Sequence, residues 1–391
     1  MRFSLPRDVT RRRRLVALLA GCLVALVTGV EVGARSGDDA GSLASARGNG
    51  DGDAAAAAVD ELSLRQQVGQ LVMLRFDGTE RPTYVREALR AGEAAGAILF
   101  GDNVLSAQQL RDLTGSLQQA AGRSALVAVD QEGGDIRIVP FAGPEPAAGA
   151  IARPTEAQRV ARQAGQDLDR LGINVNLAPV ADVASVPGSV VAGRAYPGEA
   201  DAVAILVAAA IRGHAAGGVA STAKHFPGIG AAELNTDDAA VTIKRPRAEI
   251  EDVDLEPFRA AIDADVELVM AGHALYPALD ERRIASQSSP ILEGVLRGEL
   301  GYRGVIVTDS MEAEAVLSRS STPEAAVRAA AAGADLMLTT SSGSYMPVFK
   351  RLLREAKRSE RFRARVEESA ARVLALKERL GLRPPSPRDG G

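Results

Sequence analysis

Short apolar runs alternating with longer amphipathic segments constrain the fold of this chain more than any other feature. Eight runs recur: Val68–Phe76, Gly96–Phe100, Ala125–Asp130, Asn174–Asp182, Val219–Phe226, Glu267–His273, Gly304–Asp309 and Asp335–Thr339. Runs this short and this apolar suit strands covered on both faces. Between them, Ala107–Ala121, Glu156–Leu171 and Pro290–Leu300 suit amphipathic helices. Repetition of strand and helix builds a parallel sheet with crossover helices. Eight such units predict an α/β chain, a single-domain (β/α)8 TIM barrel. An open doubly wound sheet is the alternative. It calls for a Gly-rich phosphate loop after its first strand, and Phe76-Asp77-Gly78-Thr79 is not one.

The ends of the chain read differently. Arg11 to Arg14 form a basic block before the apolar stretch Leu15 to Val30, so residues 1–34 read as a signal peptide or signal anchor. Within it, Leu19-Ala20-Gly21-Cys22 has the form of a bacterial lipobox, which makes Cys22 a lipidation candidate. The competing reading is a small apolar residue inside a membrane span, since the apolar run continues through Val27. Both readings export the remainder and give it the membrane as a partner. Residues 35–59, rich in Gly, Ala, Asp and Ser, read as a flexible linker, 60–383 as the barrel and 384–391 as a disordered tail. With one Cys in 391 residues, no intramolecular disulfide can form, and a net charge of −4 offers no basic field for nucleic acid.

In a barrel the strand C-termini share one mouth, so their last residues converge. Here they are Asp130, Asp182, Lys224 with His225, His273 and Asp309. Each alone has an ordinary structural reading, as a helix cap or a satisfied core histidine. Five charged strand ends together would cost several kcal/mol of burial without a functional use. A metal site is not expected. The His-x-His pair of barrel amidohydrolases has no counterpart in Leu71–Phe76, and His214 sits mid-helix, away from the strand ends. No cofactor is implied, and no Gly-x-Ser-x-Gly elbow supports serine hydrolysis.

Through Lys224-His225-Phe226-Pro227-Gly228 and Val307-Thr308-Asp309 the chain resembles glycoside hydrolase family 3, and within it the single-barrel β-N-acetylhexosaminidases. Val129-Asp130-Gln131-Glu132-Gly133-Gly134, Gly193-Arg194, Gly272-His273 and Gly301-Tyr302-Arg303-Gly304 follow in the family's order. The resemblance implies a carbohydrate substrate and a retaining mechanism, with Asp309 as nucleophile kept ionised by Lys224 or Arg194. It places sugar binding on Asp130, Asp182, Arg194, Lys224, His225 and His273. With no Trp and 3% aromatic residues, polar clamping of a small sugar fits better than a long open groove. The implied substrate is a terminal β-linked N-acetylglucosaminide of cell wall or glycan.

The resemblance breaks at the acid/base. Where the family's loop carries Asp-Ser-His, this chain runs Ile229-Gly230-Ala231-Ala232-Glu233-Leu234-Asn235-Thr236-Asp237-Asp238, without histidine. Asp237 stands where the histidine belongs and is the acid/base candidate. The alternatives are Glu233 or Asp238 in that role, or a barrel that keeps sugar binding and has lost hydrolysis. A β-glucosidase or phosphorylase variant is a further alternative. Asp135, where the family has arginine, alters the charge of the loop after the third strand; Arg137 is the candidate to compensate.

Overall fold

The structure is a computed structural model that describes residue 55 and residues 57–386. Cys22, the basic block and most of the expected linker lie outside the described residues. Ten strands are present among those described: β1 Val72–Leu74, β2 Gly96–Ile98, β3 Leu126–Val129, β4 Gln131–Gly133, β5 Ile136–Arg137, β6 Val175–Asn176, β7 Thr222–Phe226, β8 Leu268–Ala271, β9 Val305–Thr308 and β10 Met337–Leu338. One parallel sheet runs β10-β1-β2-β3-β6 and a second runs β7-β8-β9. β4 and β5 form a separate antiparallel hairpin after β3. Single parallel bridges join Val175 to Ala220 and Val307 to Leu336.

Side chains alternate across each strand, and the core divides accordingly. Met73, Ile98, Leu126, Ala128, Val175, Leu268, Met270, Val305, Val307 and Leu338 gather in one inner cluster. Their neighbours Val72, Leu74, Ala97, Val127, Val129, Val269, Ala271 and Ile306 belong to a larger outer cluster shared with the helices. Two apolar faces explain why the runs read as continuously apolar. Val373 and Leu376, from the helix Glu360–Arg379, join the inner cluster.

All eight expected runs contain a strand, shorter than the run in each case. The first begins too early: Val68 and Gly69 lie in the helix Leu64–Gly69, capped by Ser63, and the strand starts at Val72. Helices occupy Ala107–Ala120 and Pro154–Asp169, as the apolar spacing predicts, while Pro290–Glu299 winds more widely as a π-helix. The helices Pro154–Asp169 and Ala200–Ala216 pack closely through glycine: a Cβ on Gly213 would fall 2.5 Å from the Gln158 carbonyl oxygen. His214 belongs to the last turn of its helix rather than its middle.

At both ends expected to be unstructured, the described residues make contacts with the folded body. Ala55 and Val59, assigned to the linker by composition, are buried in the outer cluster. Pro385 is buried, and the Ser386 carbonyl accepts a hydrogen bond from Gln66 Nε2 at 2.8 Å. Small and apolar residues there find surface to cover, which local composition does not register.

Candidate active site

Asp309 follows β9 directly, and its backbone N–H donates to the Ala271 carbonyl at 3.0 Å. One carboxylate oxygen accepts the Ser310 N–H at 2.7 Å. Burial pushes its carboxyl up, but His225, His273, the Ser310 N–H and Lys224 together outweigh burial and hold it below the ordinary carboxylate range. The sequence expectation named Lys224 or Arg194 for this work. In the structure the two imidazoles contribute ahead of Lys224, and Arg194 is engaged elsewhere.

Arg194 grips Glu132 with two parallel hydrogen bonds, Nε to Oε2 at 2.8 Å and Nη2 to Oε1 at 2.7 Å. Lys224, buried at the middle of β7, reaches both Asp130 Oδ1 and Glu132 Oε1 at 2.6 Å. Burial would raise the Glu132 carboxyl; Lys224 and Arg194 overcome it and pull the group down to about 2. Burial would likewise lower Lys224, and the charges of Asp130 and Glu132 raise it instead. Asp130, Glu132, Lys224 and Arg194 thus form one ionised clamp, with two cations matched to two carboxylates. Glu132 was quoted in the motif but given no role from sequence. A signal existed: it stands two residues after Asp130, a spacing that returns to one side of an extended chain.

The loop bearing these acids is pinned from below. Asn176 at the end of β6 accepts the Gln131 N–H and donates to the Gln131 carbonyl, both at 3.1 Å. The Gln131 side chain holds the returning loop through Val139, Ala142 and Gly143 carbonyls at 3.0–3.1 Å. Behind Asn176, His214 Nε2 lies 3.2 Å from Asn176 Nδ2. Burial pushes His214 down to about 4, so its Nε2 is a neutral acceptor. Asp135 is exposed, and the Arg137 guanidinium turns to the Pro140 carbonyl within its own loop.

Two expected sugar ligands are used up inside the protein. Asp182 is wholly buried, and its oxygens accept the His225 N–H, the Ile229 N–H at 2.8 Å and face His225 Nδ1 at 2.8 Å. His273 is wholly buried between Ser286 Oγ at 2.7 Å and the Ser310 carbonyl at 2.8 Å. Neither has an exposed polar atom for a sugar, which corrects the sequence expectation for both. Asp182 orients His225 and the loop after β7; His273 fixes the backbone beside Asp309. Buried carboxylates and imidazoles need such partners, and only the tertiary contacts reveal whether the partner is protein or ligand.

The loop after β7 crosses the strand ends. Gly230 lets it lie on the Val183 backbone, where a Cβ would come within 1.8 Å of the carbonyl oxygen. Tyr276 donates its hydroxyl proton to the Gly228 carbonyl at 2.7 Å. At its far end the loop is caught by the turn after β9: Glu314 N–H donates to the Asp237 carbonyl at 3.0 Å and Ala315 N–H to that of Thr236 at 3.1 Å. This holds Asp237 within the electrostatic field of Asp309. Asp237, Glu233 and Asp238 are all exposed, and of the three only the Asp237 side chain has a hydrogen bond among the described residues. The Asp237 carboxyl keeps one edge open to solvent and accepts from Asn235 Nδ2 at 3.2 Å. Partial desolvation and the negative charge of Asp309 push it above the ordinary range, against the pull of Asn235, His273 and His225.

Residues 63–376 match the family model described as the glycosyl hydrolase family 3 N terminal domain. The chain belongs to glycosyl hydrolase family 3. Its activity class is that of a glycosidase, and its relatives are β-hexosaminidase-like. A protein of Arthroderma benhamiae named an uncharacterized secreted glycosyl hydrolase is 33% identical over 84% of this chain and 97% of its own length. A β-hexosaminidase of Pseudomonas aeruginosa is 36% identical over 68% of this chain and 81% of its own. The solved β-N-acetylglucosaminidase of Paenibacillus sp. superposes with a TM-score of 0.77 at 38% identity, covering 82% of this chain and 63% of that one. A β-N-acetylhexosaminidase from Beutenbergia cavernae gives 0.76 at 32% identity, covering 81% of this chain and 99% of that one.

Proposed function

We propose that this family 3 chain is a retaining glycosidase that releases terminal β-linked N-acetylhexosamine through a covalent glycosyl-Asp309 intermediate. The observation that carries the reading is the opposed carboxyl pair, Asp309 held low and Asp237 held high, each in the other's field. A retaining glycosidase needs one carboxylate ionised for attack and one protonated for the leaving group. Asp309 attacks the anomeric carbon as the glycosidic bond breaks, and the Asp237 proton passes to the departing oxygen. Asp237, now ionised, takes a proton from water as the water oxygen attacks the same carbon and frees Asp309. The Asp130–Lys224–Glu132–Arg194 clamp and His225 Nε2 hold the sugar hydroxyls.

The N-acetyl preference rests on the named activities of the relatives, and the cell-wall or glycan source on the N-terminal sequence. Export with lipid attachment at Cys22 belongs to the same reading. So does closure of the two parallel sheets into one (β/α)8 barrel over residues 60–383, supported by the bridges Val175–Ala220 and Val307–Leu336 and by the shared inner cluster.

An aryl-glycoside panel tests the proposal. Aryl β-N-acetylglucosaminide should be cleaved faster than aryl β-glucoside, and Asp309→Ala should abolish cleavage of both. Sugar binding without turnover in the wild type would establish a binding module instead, and a 2-fluoro sugar trapped on a peptide lacking Asp309 would reassign the nucleophile.

A further inference from the structure

Outside the Asp309–Asp237 site, arginines gather where β8 and β9 hand over to their following segments. Arg282 and Arg283 lie beyond β8, Arg319 beyond the short helix Glu314–Leu317, and Arg328 in the helix Thr322–Ala332. With Ile284 and Gln287 they line a hollow of about 250 Å³. A second hollow of about 260 Å³ shares Arg283, Gln287 and Arg328. Among the described residues, Arg282, Arg283 and Arg319 have exposed side chains that enter no ion pair.

The neighbouring carboxylates are engaged. Asp280 accepts the N–H groups of Arg282 and Arg283 and the Ser288 hydroxyl at 2.9, 3.2 and 2.7 Å. Glu324 is paired with Arg351 at 2.7 Å, and Glu281 lines neither hollow. Arg328 is pushed below the ordinary guanidinium range by burial and by the charge of Arg283. Asp280, which lines the second hollow, and Glu324 answer part of this charge, but the guanidinium groups outnumber them.

An independent observation names the missing partner's chemistry. Gln287 is 5% exposed and lines both hollows. Its Oε1 accepts from Arg328 Nε at 2.8 Å, which leaves the amide nitrogen as donor, and that nitrogen is buried without a partner. A buried donor left unmade costs about 1–3 kcal/mol, so the site wants an acceptor. Four guanidinium groups from three chain segments exceed what one planar, singly charged carboxylate can answer. A tetrahedral dianion offers acceptors on several sides.

We propose that this hollow binds a phosphate-class oxyanion, free or carried on a polymer, through Arg283, Arg319, Arg328 and the Gln287 amide. Calorimetric titration of the full chain with inorganic phosphate, and separately with a glycerol phosphate oligomer, tests this. Saturable binding of one or both is expected, weakened at least tenfold in Arg283→Gln/Arg319→Gln and also in Gln287→Leu. Both arginine changes are at exposed side chains, so an unchanged melting temperature will certify the fold. Preference for the free ion or for the oligomer identifies the source, and either supports the site. Binding of neither, equal binding by the double variant, or equal displacement by chloride at matched ionic strength overturns it.

Discussion

Replacing Glu132 by glutamine removes one negative charge from a clamp that holds two buried or half-buried cations. Glu132 is held at about 2, against 4.5 for a free glutamate. At about 1.4 kcal/mol per pH unit that displacement is worth roughly 3 kcal/mol of folding stability. The depressed pKa gives the sign: the contribution is complete above pH 4.5 and is lost as pH falls towards 2. Glutamine keeps part of the Arg194 contact, so Glu132→Gln should cost about 1–3 kcal/mol at pH 7. Urea unfolding of both proteins from pH 7 to 3.5 measures it. The gap between them should hold constant to about pH 4.5 and then close by about 1.4 kcal/mol per unit. The same variant should raise KM for an aryl glycoside, because Lys224 loses one of its two carboxylates. A stability gap under about 0.5 kcal/mol, or one that does not respond to pH, would refute the claim that Glu132 is the ionised hub of the clamp.

Three further outcomes follow from other parts of the molecule. Asp237→Asn should spare aryl substrates with acidic leaving groups and slow natural disaccharides by about 10²–10⁴-fold. It should also remove the alkaline limb of the wild-type kcat/KM profile, which arises as the raised Asp237 pKa is crossed and its proton is lost. Equal loss on both substrate types counts against Asp237. His214, held neutral at about 4 against 6.5 when free, contributes stability above pH 6.5 that fades as pH falls through that window; in His214→Gln the stability lost between pH 6.5 and 4 should shrink by up to about 3 kcal/mol. Lys377, buried against Gln70 Oε1 at 2.6 Å and pushed down to about 7, disfavours folding while it must shed its proton. Lys377→Met should therefore narrow the rise in stability between pH 7 and 10, visible in melting temperature; an unchanged slope would contradict the burial argument.

Period and composition determined the strand and helix order, because a strand covered on both faces must be apolar throughout and a crossover helix must be apolar on one. Asp309 and Lys224 were legible for the same reason: a charge within or just after an apolar run is conspicuous. The tertiary structure decided what those charges touch. Asp182 and His273 look like Asp130 and His225 in the sequence, yet their polar atoms are closed by Ile229, Ser286 and Ser310, partners from distant segments. Glu132 was hidden in the opposite sense, since its two cations lie 62 and 92 residues away in the chain. Asp237 feels the charge of Asp309 in a loop that the distant Glu314 and Ala315 N–H groups hold in place. Spacing along a chain reports which face a residue occupies; whether that face meets protein or open space depends on contacts between segments that the sequence does not place side by side.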